Sequence, residues 1–60
     1  MIQLTLEDGS IGLINEQQIL AVTPNDQNPQ TTDVFVAGEL CIPVQESVSE
    51  ILALIQMKFN

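Results

Sequence analysis

Leu40-Cys41-Ile42-Pro43-Val44-Gln45-Glu46-Ser47-Val48-Ser49-Glu50-Ile51-Leu52-Ala53-Leu54-Ile55-Gln56-Met57-Lys58-Phe59 is the stretch in which the chain changes period. Leu40, Ile42 and Val44 recur at every second position, the spacing of a strand with one buried face. Pro43 lacks an amide proton, which places this strand at a sheet edge or close to its end. From Ser47 the period lengthens. Ser47-Val48-Ser49-Glu50 has the form of a capping box, in which the Ser47 hydroxyl accepts from the Glu50 amide and the Glu50 carboxylate reaches back. The pattern predicts a strand over about 40–44 and a helix over about 47–59. At 3.6 residues per turn, Val48, Ile51, Leu52, Ile55 and Phe59 form one stripe, expected to cover a sheet. Ala53, Leu54 and Met57 fall on the far side beside Glu50 and are the interface candidates. Lys58 stands near the helix C-terminus, where a cation is favoured.

The rest of the chain supplies that sheet. Ile2, Leu4 and Leu6 alternate with Gln3 and Thr5, a strand over about 2–6. Asp8-Gly9 offers the positive φ of a tight hairpin turn, and Ile11 to Ile14 returns. Gly12 within the return strand marks a bulge or the close approach of another backbone. Asn15 opens a turn or caps a single helical turn. A third strand covers about 19–23 and stops at Pro24. Residues 24–31 form an exposed loop, polar and proline-containing, expected to be the most mobile part of the chain. Residues about 32–37 form a fourth strand. There the consecutive Val34, Phe35 and Val36 suggest burial on both faces. Gly38-Glu39 turns the chain into the fifth strand.

The expected fold is therefore mostly β: about five short antiparallel strands in a curled sheet or small barrel-like arrangement, with one C-terminal helix. The expected core is Ile2, Leu4, Leu6, Ile11, Leu13, Ile19, Val22, Val34, Val36, Leu40, Ile42, Val48, Ile51, Leu52, Ile55 and Phe59. Sixty residues make a single small domain. A domain of this size buries only ~60% of the surface of its unfolded chain. Small domains make up the deficit with disulfides, a metal or a partner chain. Cys41 is alone and histidine is absent, so neither a disulfide nor a zinc-type ligand set is available. Association with another copy is the remaining route, through the outer helix face or an open strand edge.

Charge narrows the partners further. Eight acidic residues face one basic residue, for a net charge of −7. Phosphate backbones and anionic lipid are held by Lys and Arg, so neither direct nucleic-acid binding nor membrane attachment is expected. The N-terminal segment lacks the basic and apolar regions of a signal peptide, and no apolar run approaches the ~20 residues of a membrane span. A cytoplasmic location is the expectation. Catalytic chemistry is equally unsupported. No histidine is present for acid–base work. Cys41, between Leu40 and Ile42, reads as a small buried apolar residue rather than a nucleophile. Gly9, Gly12 and Gly38 are too dispersed for a phosphate-cradling loop. Asn25-Asp26-Gln27-Asn28 lacks the spacing of a calcium loop. No enzyme activity, cofactor or metal is expected.

Several segments resemble the small FlbD-like flagellar and swarming-motility proteins. They are Met1 to Leu6 followed by Asp8-Gly9; Ile14-Asn15 leading to Ile19-Leu20-Ala21-Val22 and Pro24; Thr32 to Gly38; and Val44 to Ile51. The resemblance implies a small, non-catalytic, mostly-β module. Leu6 and the nearly uncharged helix stand where that family often carries polar or basic residues, and the 24–30 loop is longer. The plan is also similar to the RNA-binding carbon-storage regulators, which begin with a Leu-Thr strand and form intertwined dimers. Their RNA contacts rest on basic strand edges that this chain lacks. The leading functional expectation is a non-catalytic protein-interaction or structural module acting as a homodimer or higher homo-oligomer, with at most one further protein partner. The alternative is a small acidic virus-encoded inhibitor of a host defence or nucleic-acid-processing protein. A small-ligand sponge built into an oligomer interface is a third.

Overall fold

The computed structural model describes residues 1–59, with side chains through Met57. Five strands precede one helix: β1 (Ile2–Thr5), β2 (Ile11–Ile14), β3 (Ile19–Pro24), β4 (Thr32–Val36) and β5 (Leu40–Val44), then α1 (Val48–Phe59). A short 3-10 turn, Glu16–Gln18, links β2 to β3. Its N-cap is Asn15, whose side-chain oxygen accepts the Gln17 amide at 3.0 Å, as its sequence position suggested.

The strands form two antiparallel sheets and not a single curled sheet or barrel. β1 pairs with β2, and β3, β4 and β5 lie side by side in that order. The sheets meet where Leu6 bridges Val44 and the Gln45 amide donates to the Thr5 carbonyl at 2.8 Å. The Glu46 carboxylate reinforces this junction by accepting the Thr5 amide on both oxygens, at 2.9 and 3.0 Å. The strands are four to six residues long, and a point junction joins the two sheets in place of a continuous ladder.

Ile2, Leu4, Ile14, Val34, Val36, Val44 and Ile51 are the buried apolar residues, with Leu6, Ile19, Val22, Ile42, Leu54 and Ile55 packed around them. Several sequence expectations change here. Ile14 and Val44 join the core, whereas Ile11 and Leu13 are exposed, and the hairpin turn explains the change in β2. A two-residue turn at Asp8-Gly9 would set Leu13 opposite Leu4 and Ile11 opposite Leu6. The turn is one residue longer, with Leu6 donating its amide to the Ser10 carbonyl and Gly9 at φ 92°. Ile2 therefore faces Ile14, and Leu4 faces Gly12. A one-residue slip moves a whole strand to the other face.

Phe35 is also exposed, because the three-stranded sheet is covered on one face only. Leu40, beside the Gly38-Glu39 turn, is exposed. Cys41 is a free, exposed thiol and not a buried filler. Residues 24–31 are internally bonded. The Asn25 side-chain oxygen accepts the amides of Gln27 and Asn28, and its amide group donates to Asp33 at 3.1 Å. Thr31 within this turn is buried.

On α1, Ile51 is fully buried and Val48, Leu54 and Ile55 are half-buried. Leu52, expected in the core, is exposed, and Leu54, expected outside, packs against the core. The helix is apolar over much of its circumference, so its sequence offers more than one stripe of similar strength. Packing on the sheet selects the stripe centred on Ile51. The expected roles of Phe59 in the core and of Lys58 at the helix end fall outside the described side chains.

Candidate interaction surface

Among the described residues, the large apolar side chains left in solvent are Met1, Ile11, Leu13, Leu20, Phe35, Leu40, Leu52 and Met57. Five of them fall on three faces. On β2, Ile11 and Leu13 stand opposite Thr5 and Gln3, so the outer face of the hairpin is uncharged. On the three-stranded sheet, Ala21, Phe35 and Cys41 lie opposite one another across β3, β4 and β5, and all three are exposed. On α1, Leu52, Ala53 and Met57 face solvent. Of the three interface candidates on the helix, Ala53 and Met57 are thus outward, while Leu54 is turned to the core. Sequence reasoning missed the hairpin face, because Ile11 and Leu13 were assigned inward. Its signal was there in the apolar triple Ile11, Leu13 and Ile14, which no single strand face can bury.

The carboxylates serve local structure. Asp8 accepts the Ser10 hydroxyl at 2.6 Å and its amide at 3.0 Å. The Ser10 hydroxyl, then its amide, hold the Asp8 carboxyl below its ordinary value of 3.8. Glu16 pairs with the Met1 ammonium at 2.8 Å. Asp33 receives Asn25, Glu46 receives Thr5, and Glu50 completes the capping box with Ser47. Among the described residues, no three of His, Cys, Asp or Glu lie close enough to share a metal ion.

Two grooves flank the polar turn. One, of about 530 Å³, runs between Pro29 and the helix start, with Thr32, Ser47, Ser49 and Glu50 on its walls. The other, of about 550 Å³, is lined by Glu7, Asn28, Gln30, Thr31 and Gln45. Each holds a carboxylate and no cationic side chain, a poor setting for an anionic ligand. No helix of the described residues is long and apolar enough to cross a membrane.

Comparison with protein-family models, curated proteins and solved structures found no match.

Proposed function

We propose that the chain is a non-catalytic protein-interaction or structural module that acts as a homo-oligomer, akin to the FlbD-like proteins. One observation carries the reading. Among the described residues, eight large apolar side chains lie exposed against seven buried ones. Scattered surface apolar residues are ordinary, but here five of the eight lie on the outer hairpin face, the open sheet face and the outer helix. Exposed apolar faces of this kind favour association. A core this small also gains from a partner.

The carboxylates weigh against the inhibitor alternative. A nucleic-acid mimic must present its acids outward together, whereas five of the eight here are engaged in turns, caps and the sheet junction. Sedimentation of the wild-type chain over a wide concentration range tests the reading. The expected result is a mass that rises with concentration. A single monomer mass at every concentration overturns it.

A further inference from the structure

The strand edges of this fold are not equally protected. At β5, the Val44 end of the outer edge meets β1 through the Leu6–Val44 bridge and the Gln45–Thr5 hydrogen bond, and Pro43 offers no amide donor. At β3, the register shifts between Ile19 and Ala21, and Pro24 closes the strand. Bulges and prolines are devices that blunt edge pairing. Among the described residues, β2 pairs with β1 alone. Its sequence, Ile11-Gly12-Leu13-Ile14, contains no proline and no charge, and its pairing with β1 shows no bulge.

The hydrogen-bond phase of the hairpin shows what this edge offers. Leu6 donates its amide to the Ser10 carbonyl at 2.7 Å, so that pair is hydrogen-bonded. Bonded and non-bonded pairs alternate along an antiparallel ladder. Gly12 and Ile14 therefore direct their backbone groups to β1, and Ile11 and Leu13 direct theirs to the open edge. Thr5, opposite Ile11, obeys the same phase: its amide and carbonyl turn away from β2, to Glu46 and Gln45. Ile11 and Leu13 are also 64% and 67% exposed. Outward main-chain donors and acceptors thus coincide with an exposed apolar pair.

We propose that β2 pairs antiparallel with β2 of a second copy of this chain, about a two-fold axis through Gly12. The proposal rests on the homo-oligomer reading and names the surface that carries it. In this register Ile11 lies opposite Leu13 of the partner subunit, and Leu13 lies opposite Ile11 of the partner subunit. Each pair exchanges both main-chain hydrogen bonds, and the four side chains join on one face. The contact is self-complementary, as a two-fold interface must be. Charge selects a second copy over a basic protein. A basic partner would seek carboxylates, and neither Ile2–Thr5 nor Ile11–Ile14 contains one. Two chains of net charge −7 meet with least repulsion at an uncharged face. A standard interface buries ~800 Å² per partner. A four-residue edge supplies less, so the dimer is concentration-dependent rather than obligate.

Sedimentation equilibrium of wild type and Leu13→Lys, with amide exchange at Ile11 and Leu13, tests the pairing. Lysine reduces the net negative charge, so weaker association of this variant cannot come from added overall repulsion. Loss of two buried leucines at ~1.5 kcal/mol each corresponds to roughly a hundredfold weaker dimer. The expected result is a wild-type monomer–dimer equilibrium, that weakening in Leu13→Lys, and slower exchange at both amides as wild type is concentrated. Wild type that associates while both amides exchange freely, with Leu13→Lys equally associated, overturns the edge and leaves the homo-oligomer reading standing. Wild type that stays monomeric overturns both. If Leu13→Lys does not fold, the wild-type amide exchange decides alone.

Discussion

Asp8 shows how much one side chain settles in this chain. Its carboxylate gathers the hydroxyl and amide of Ser10 and so fixes a turn one residue longer than Asp8-Gly9 alone suggests. Asp8 titrates below its ordinary value of 3.8. The folded value is depressed, so its contribution to stability is complete above the unfolded value and is lost as pH falls through the folded one. Ser10→Ala removes the larger cause, and the Asp8 midpoint followed by NMR is expected to move up toward the ordinary value. Glu46 is a second decisive residue, since it holds the Thr5 amide where the two sheets meet. Glu46→Ala leaves that half-buried amide unpaired and is expected to cost about 2 kcal/mol in urea unfolding. Glu39 sits at φ 62° in the β4–β5 turn, a conformation that asparagine adopts with less strain. Glu39→Asn is expected to raise stability by about 0.5 kcal/mol in the same measurement. The turn-forming residues were visible in the sequence. Neither the length of the first turn nor the long-range role of Glu46 was, because the partners of Glu46 lie some forty positions away.

The helix combines a legible end with an illegible face. Ser47 accepts the Glu50 amide and Glu50 accepts the Ser47 amide, both at 3.2 Å, as the capping-box spacing predicts. Ser47→Ala is expected to cost about 1 kcal/mol and to lower helical circular dichroism on mild heating. Ile51, fully buried, anchors the helix to the sheet. Ile51→Ala is expected to cost about 3 kcal/mol, a large part of the stability of so small a domain. Which leucine faces the core was not readable, because Leu52 and Leu54 both extend a plausible apolar stripe. The structure separates them in a way that mutation can check. Leu54→Glu is expected to unfold the chain, whereas Leu52→Glu is expected to leave its melting temperature nearly unchanged.

For the molecule as a whole, the balance between a small core and a large apolar surface sets the expected behaviour. Every copy carries the same net charge of −7, so self-association works against long-range repulsion. Added salt screens that repulsion, with a Debye length near 10 Å at 0.1 M. The proposed dimer is therefore expected to tighten as salt rises, measured by sedimentation at fixed protein concentration. A complex held by a basic partner would loosen instead. Met57, 75% exposed on the outer helix, provides a control. Met57→Gln, which removes the apolar side chain without adding charge, is expected to leave the association unchanged in the same measurement if the proposed β2 edge is the contact.

Sequence alone settled the kind and order of the elements: five strands and one capped helix, with turns at Gly9 and Gly38 and near Asn15. These features are local, since alternation, caps and positive-φ positions act over a few neighbouring residues. The choice of buried residues was not local. Ile11, Leu13 and Ile14 compete for one inward face of β2, and Leu52 competes with Leu54 on α1. Each contest was settled by what lay opposite: β1 in its slipped register for the strand, and the sheet under Ile51 for the helix. Periodicity defines the candidate faces, but only packing against distant segments removes one of them from water.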